Sequence, residues 1–417
     1  MSESYKKISE PGIAAPKYDP RTIKGTKLHK EMLEITSGNY NRAFKPYIHY
    51  FAKSISKLFN KYHLLSYKYF IFQRYFPLRL LNLIIFLIER KRISKIHYSP
   101  PFVTIDVCNI CNLCCPGCVT GLRDPSAKKE NKASLERMKR IIDQTAKRSI
   151  HIDFFHWGEP LLNEDFYAAC AYAAEKGLWT TIHTNMNIKD KGLAQKIIDS
   201  KLCKLVFSCD GATQQVYKKY RKGGNIDLVF ANVRKISYEK RKRNLKFPWI
   251  TAKYVVFDHN WHEIKLFKEK AFAAGANEVL FAQAVMGGFY ETRSIATAKT
   301  FNLKELKWEK REDKTCTEIW DKLLVANDGS IYPCCACFRN DDVFVGPEYE
   351  TTMKVAEKWN ADKFRHIRRF FIDSSNMSLD QLPQPCNTCR ICSDIKKTSR
   401  KDDFLSKQIR KKRDKSF

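Results

Sequence analysis

No stretch of this 417-residue sequence reaches the roughly 20 consecutive apolar residues that an α-helix needs to cross a bilayer. The nearest, Leu80 to Ile88, is too short, is interrupted by Asn82, and is flanked by Arg79 and by Glu89-Arg-Lys-Arg. Met1 to Pro20 holds no apolar core of the kind a secretory signal carries, so the expected home is the cytoplasm. Acidic residues are in short supply: 45 stand against 75 lysines and arginines, for a formal charge of +30. That excess says nothing about fold. It predicts attraction to something anionic, whether a membrane surface, an acidic or phosphorylated substrate, or nucleic acid. A disulfide framework is also missing. The 15 cysteines gather at two places far apart in a long chain, which does not resemble the even stapling of a small secreted domain.

What is present suits a folded protein with a sizeable core, since 44% of residues are apolar and 13% aromatic. Residues 1 to about 40 are polar and without period. From Pro46 to about Lys95 the pattern turns helical, with Ile48, Phe51, Ile55 and Leu58 on one face. Pro77 separates this from a second apolar helix, Leu78 to Ile88. Such an arm can pack on the parent domain, the commoner use, or lie in the headgroup region of a membrane. From residue 101 strands and helices alternate. The strands are expected at Phe102–Asp106, His151–His156, Trp179–Thr184, Lys204–Ser208, Thr251–Phe257 and Glu278–Ala282. Helices are expected around Leu135–Lys147, Glu164–Glu175, Lys191–Asp199, Ile226–Lys242 and Glu263–Ala274. Strands joined by helical crossovers imply a parallel sheet. Six units fall short of the eight of a closed barrel, so the expected fold is α/β, a partial, open (β/α)6 barrel. The expected division is a basic helical extension over 1–98, the barrel over 99–285, a cysteine-rich domain over 286–395 and a basic tail over 396–417.

Chemistry in such folds gathers where strands end and the following loops begin. After the first strand comes Asp106-Val-Cys-Asn-Ile-Cys111-Asn-Leu-Cys-Cys115-Pro-Gly-Cys118. After the second comes Trp157-Gly-Glu-Pro160, after the third Thr184-Asn185, and after the fourth Ser208-Cys-Asp-Gly211. All four can line one mouth. Cys111, Cys115 and Cys118 form CxxxCxxC. Three thiolates on one short loop can hold three corners of an iron–sulfur cluster and leave the fourth iron open, as a catalytic metal site does. A zinc knuckle remains the alternative, and Cys108 and Cys114 allow other pairings.

This loop resembles the cluster loop of the radical S-adenosylmethionine (SAM) superfamily, and Trp157-Gly-Glu-Pro160 resembles that family's GGEP turn, with Trp157 in place of the first glycine. The resemblance implies that SAM chelates the open iron of a [4Fe–4S] cluster on Cys111, Cys115 and Cys118. It places Trp157, Gly158, Glu159 and Pro160 at the amino group of SAM, Ser208 at its ribose and Arg221 at its carboxylate. Thr184 and Asn185 would touch SAM or substrate. Further on, Cys316, Gly329 and Cys334 give Cx12Gx4C, and Cys386-Asn-Thr-Cys389-Arg-Ile-Cys392 follows. This is similar to the SPASM/twitch extension, which carries at least one auxiliary [4Fe–4S] cluster. Cys316, Cys334, Cys386 and Cys389 would be its ligands, with Cys392 competing for the last place. A zinc ribbon from Cys334, Cys337, Cys386 and Cys389 is the alternative.

By that resemblance the chain reductively cleaves SAM to a 5′-deoxyadenosyl radical that takes hydrogen from a substrate carbon, using electrons from a donor such as flavodoxin or ferredoxin. His156, at a strand end, is a candidate proton carrier. Cys209, Cys335 and Cys337 are candidate hydrogen donors. The positive charge favours an anionic substrate, whether a nucleotide sugar, a phospholipid-linked glycan or an acidic precursor, and a carbohydrate or lipid-linked glycan, for oxidation or epimerisation, is the first expectation. A peptide maturase that cross-links or otherwise modifies a ribosomal precursor is the second expectation. The helical arm does not read as a strand-rich peptide-binding domain. A non-catalytic protein holding zinc and RNA is a third, of another class, and the order of motifs at successive strand ends speaks against it.

Overall fold

The computed structural model of the protein describes residues 75–116, 118–122, 131–283, 316–335, 337 and 343–372. All of these residues belong to one compact unit that begins at Ser66. The polar leader, the first expected helix, the segment 286–313, the motif from Cys386 to Cys392 and the basic tail lie outside the described residues.

The six expected strands are present: β1 (Phe102–Ile105), β2 (His151–Asp153), β3 (Trp179–Thr184), β4 (Lys204–Ser208), β5 (Trp249–Val256) and β6 (Glu278–Gln283), with β2 ending three residues earlier than expected and β5 starting two residues earlier. They lie side by side in chain order, all parallel. Two further strands were not foreseen. β7 (Lys322–Val325) joins β1 in parallel, Phe102 opposite Lys322 and Ile105 opposite Val325, and β8 (Ile331–Tyr332) returns antiparallel to it. The turn between them is the expected Asn327-Asp-Gly-Ser330 hairpin, with Gly329 at φ 93°, a conformation glycine adopts without cost. The full order is β6-β5-β4-β3-β2-β1-β7-β8, an open sheet. Strands from beyond residue 286 thus extend the barrel's own sheet, and that boundary of the sequence does not bound the sheet.

The sheet has two unlike faces because its strands alternate. Ile182, Leu205, Phe207, Ile250, Ala252 and Tyr254 are fully buried on one of them. The pairing register sets His151, Asp153, Thr181, His183, Lys204, Ser208, Thr251, Lys253, Glu278 and Lys322 on the other. A parallel sheet covered on both faces by apolar helices reads as unbroken hydrophobic runs. The charged alternation here marks the second face as a place for polar chemistry.

The helices are α1 (Phe76–Glu89), α2 (Val119–Leu122), α3 (Leu135–Thr145), α4 (Asp165–Glu175), α5 (Leu193–Asp199), α6 (Gln214–Tyr220), α7 (Ile226–Lys242), α8 (Ile264–Ala273), α9 (Glu318–Asp321), α10 (Val355–Lys358) and α11 (Asp362–Ile372). Ser134, Thr213 and Asn225 cap α3, α6 and α7, each accepting from a backbone N–H three residues on, a contribution of about 1 kcal/mol apiece. Helix α1 packs on the body. Its Arg79 is wholly buried, and the guanidinium donates to the carbonyls that end neighbouring helices: Ala146 (3.1 and 2.7 Å) and Lys176 (2.8 Å). Those carbonyls are orphan acceptors at helix ends, where a cation is favoured. Asn82, the residue that breaks the apolar run, exchanges two hydrogen bonds with the Ser99 backbone at 2.9 and 2.8 Å. No helix among the described residues is long and apolar enough to cross a membrane.

Candidate active site

The cysteine loop leaves the end of β1 and is clamped by the loops after β2 and β3 and by the end of α6. Glu159 donates its N–H to the Ile110 carbonyl (2.8 Å), Cys108 donates its thiol to the Glu159 carbonyl (3.0 Å), and Cys114 donates its N–H to the Lys222 carbonyl (3.0 Å). Asn112 reaches the Asn187 carbonyl (2.7 Å) and accepts from Asn185 (2.8 Å). Gly158 explains the glycine of the turn. A Cβ there would stand 1.9 Å from the Cys108 oxygen and 2.9 Å from the Ile110 oxygen.

Cys115 is buried, Cys111 and Cys118 are half-buried and Cys114 is exposed. Donors point at two of the sulfurs. The Leu113 N–H (3.5 Å) and the Asn185 amide (3.6 Å) face Cys111 Sγ, and Arg221 Nη1 faces Cys115 Sγ at 3.9 Å. Burial pushes the Cys111 thiol up to about 12, against the pull of the Leu113 N–H. Burial raises Cys115 as well, with Arg221 acting the other way. Such thiols become ligands when a metal displaces their protons. Among the described residues no three or more His, Cys, Asp or Glu side chains are arranged to hold a single metal ion. A cubane cluster instead takes one thiolate at each of several separated corners. Three thiols on one braced loop, met by hydrogen-bond donors, fit that larger group. Cys108 does not join them, because its proton is given to a carbonyl.

Glu159 is the brace of the mouth. It is only 2% exposed. Its carboxylate accepts from Thr184 Oγ1 (2.7 Å), the Asn185 N–H (2.6 Å) and the Leu161 N–H (3.2 Å), tying the second loop to the third. Burial nonetheless lifts its pKa to about 7. Thr184 and Asn185, expected to touch SAM or substrate, are in the described structure members of this brace. Trp157 and His156 face elsewhere. Trp157 Nε1 donates to the Cys337 carbonyl (3.4 Å) and His156 Nε2 donates to the Cys335 carbonyl (3.0 Å). The residue that replaces the first glycine of the turn therefore bridges to the second cysteine region. Burial lowers the His156 pKa to about 4, so its imidazole is neutral with the Nε2 proton committed. In this position the ring ties the second strand's loop to the second cysteine region.

Cys209, a candidate hydrogen donor in the sequence, is fully buried, and its Sγ donates to the Gly211 carbonyl at 3.5 Å. Ser208 ends β4 half-buried, opposite Lys253 in register. Arg221 is fixed by a residue the sequence reading passed over. The fully buried Asp210 accepts from Arg221 Nε and from the Val255 N–H, both at 2.6 Å. Burial alone would lower the guanidinium's pKa, but Asp210, with Cys115 adding, holds it well above its usual value. Asn187 was also missed. It accepts from the Asn225 N–H (2.6 Å) and donates to Tyr217 Oη (2.7 Å). An Asn two residues after Thr184-Asn185, in a turn where Met186 has φ 59°, was the available signal.

In the second region Cys316 and Cys334 are half-buried. Cys334 Sγ lies 3.6 Å from Cys337 Sγ, so a cysteine left out of the expected ligand set stands beside one inside it. Cys386 and Cys389 lie outside the described residues.

Two family models match the chain: the radical SAM superfamily over residues 105–270 and the SPASM iron-sulfur cluster-binding domain over residues 316–392. This chain is a radical SAM superfamily enzyme with a SPASM domain. The radical SAM match begins at the end of β1 and takes in every loop of the mouth. Among similar proteins, Fe-coproporphyrin III synthase of Methanosarcina barkeri is 30% identical over 147 residues, covering 35% of this chain and 36% of that protein. PqqA peptide cyclase of Granulibacter bethesdensis is 24% identical over 320 residues, covering 70% of this chain and 80% of that protein. The chain thus spans about a third of the first of these relatives and most of the second. The fold of Streptococcus suis SuiB bound to S-adenosylmethionine superposes with a TM-score of 0.55 at 16% identity, covering 78% of this chain and 80% of SuiB. SuiB bound to the precursor peptide SuiA gives 0.51 at 16% identity, covering 70% and 71%.

Proposed function

We propose that this radical SAM enzyme takes a peptide at the polar mouth of its sheet and removes hydrogen from an unactivated carbon of it. The observation that carries the reading is the convergence of the first four strand-end loops on Cys111, Cys115 and Cys118, with Gly158 packed against the cysteine loop and Glu159 binding the loops together. When bound, a [4Fe–4S] cluster with SAM supplies a 5′-deoxyadenosyl radical, the agent that takes the hydrogen; the protein supplies position and shelter. Arg221 suits the SAM carboxylate. Its Nε is held by Asp210 and its Nη1 faces Cys115, while its Nη2 makes no hydrogen bond among the described residues. Ser208 remains the candidate for the ribose, and the backbone around Trp157, Gly158 and Pro160 for the amine. Cys316 and Cys334, with Cys386 and Cys389, are the candidate ligands of an auxiliary cluster, which supplies an electron acceptor suited to net oxidation. The electron donor would be a small redox protein such as flavodoxin or ferredoxin.

A peptide is favoured over the carbohydrate or lipid-linked glycan expected from charge and from the helical arm. A peptide cyclase is similar along most of this chain, and a fold neighbour is seen with a precursor peptide. Net charge is a weaker guide, because it reports on attraction and not on chemistry. The test is anaerobic reconstitution with iron and sulfide, then incubation with SAM, a reductant, and either short peptides encoded beside the gene or nucleotide sugars. The expected result is 5′-deoxyadenosine together with a peptide that has lost hydrogen by mass spectrometry. Modification of a sugar with every such peptide untouched sinks the peptide reading.

A further inference from the structure

Among the described residues, the polar face of the sheet carries its charges in matched pairs, with one cation left over. Asp153 accepts from Lys322 Nζ at 2.8 Å and lies 2.9 Å from His151 Nε2. Glu278 accepts from Lys204 Nζ at 2.8 Å and from Thr251 Oγ1 at 2.6 Å. Asp210, just past β4, holds Arg221. Each carboxylate of this face therefore has its own cation. Lys253 stands on the same face, opposite Ser208 on one side and Leu280 on the other. Among the described residues its ammonium has neither a hydrogen bond nor an ion pair.

Its surroundings give the position meaning. Lys253 is half-buried, and Asp210, Arg221 and Cys335 are the charged or ionisable groups close enough to act on it. His183 on β3 feels the lysine in turn, and its ring stacks flat on Phe155 with centroids 3.9 Å apart. The lysine is thus within electrostatic reach both of Arg221, which faces Cys115, and of Cys335 in the second cysteine region. A partly desolvated ammonium is costly to keep when its one near carboxylate, Asp210, is given to Arg221, and the other two carboxylates of this face are engaged as well. A carboxylate arriving from outside would complete the pattern.

We propose that Lys253 is the substrate anchor of this enzyme: its ammonium binds a carboxylate of the peptide, supplied by an acidic side chain or by the chain's C-terminus. The proposal rests on the peptide reading above and narrows it to a peptide whose reacting region lies a short distance from a carboxylate. It also gives the basic character of the chain one specific use.

The test uses the reconstituted holoenzyme and three synthetic probes. The first is an alternating alanine–glutamate decapeptide, acetylated and amidated. The second is its glutamine counterpart. The third is that glutamine peptide with a free C-terminal carboxylate. Amine labelling of Lys253, read by mass spectrometry, needs no turnover. Protection by the first probe identifies a side-chain carboxylate as the ligand, and protection by the third a chain terminus. Protection by none, or by the neutral glutamine peptide equally, overturns the anchor. With a genuine substrate peptide, Lys253→Met should raise KM at least about tenfold, the worth of one hydrogen bond between charged groups. SAM affinity should stay unchanged, and Lys253→Arg should recover most of the loss. A variant that weakens SAM binding and leaves peptide KM alone instead assigns Lys253 to the methionine carboxylate and refutes the proposal. Protection of Lys253 without modification of any peptide keeps the anchor and removes the peptide-maturation reading, so the two fail separately.

Discussion

Gly158 lies so close against Cys108 that a Cβ on the glycine would stand 1.9 Å from the Cys108 carbonyl oxygen. The obstruction is backbone, which cannot swing aside as a flexible side chain can. The second strand's loop and the cysteine loop therefore share one surface, and the glycine is required by contact and not by its torsion angles. Gly158→Ala should displace the cysteine loop and destabilise the fold by about 1–3 kcal/mol, the usual range for overpacking. The sensitive readout is iron and sulfide content after anaerobic reconstitution, which should fall well below wild type. A variant that loads iron fully shows that the loop tolerates the shift.

Asp210 and Arg221 form a buried pair 2.6 Å apart beside Cys115. Removing one partner leaves a desolvated charge without compensation, a loss of about 3–5 kcal/mol in comparable sites. Asp210→Asn should lose stability on that scale in urea unfolding, and it should free Arg221 from its fixed aim at Cys115 Sγ. SAM affinity should fall with it. A double variant, Asp210→Asn with Arg221→Met, should recover part of the stability while SAM affinity stays low. If the single variant is as stable as wild type, the pair does not hold the loop.

Much of this was legible in the sequence, and the reason is local. Strand starts and ends at Trp179–Thr184 and Lys204–Ser208 follow from β-prone runs bounded by turns, and helix starts at Leu135 and Ile226 follow from Ser134 and Asn225 as caps. Motif positions at strand ends then came with the strands. What was not legible depends on pairings between distant residues. Lys322–Val325 is a short run with nothing to say that it docks beside β1, more than two hundred positions earlier. Asp210 reads as part of a turn until its contact with Arg221 is seen. His156 and Cys209 have the chemistry of a carrier and a donor. Their hydrogen-bond partners, the Cys335 carbonyl and the Gly211 carbonyl, are seen only in the fold.

The two histidines near the mouth make stability fall in acid. Burial lowers His183 to about 3 and His156 to about 4, both from 6.5. The folded state thus prefers the neutral rings, and below pH 6.5 the unfolded chain binds more protons than the folded one. Stability is fully present above that value and is lost as pH falls toward 4 and then 3. Between pH 7 and 5 each ring can contribute at most about 2 kcal/mol of this loss, less for partial exposure. Urea unfolding at pH 7 and pH 5 checks the sign. His183→Phe should lose less stability than wild type over that interval, and an equal loss in both removes the histidine from the account.

Cys334 and Cys337 place their sulfurs 3.6 Å apart, whereas Cys335 is exposed and its carbonyl is the acceptor of His156. The chain direction between them therefore sends alternate cysteines to different surroundings. If Cys337 shares a centre with Cys334, Cys337→Ala should lower the iron bound per chain by about one cluster, while Cys335→Ala should leave it unchanged. The radical SAM cluster on Cys111, Cys115 and Cys118 supplies the internal control, since its electron paramagnetic resonance signal with SAM should persist in both variants. Equal iron in all three proteins would return Cys337 to a packing role. Loss of the SAM-dependent signal in Cys337→Ala would mean instead that the Trp157 indole, which donates to the Cys337 carbonyl at 3.4 Å, transmits disturbance from the second cysteine region into the first.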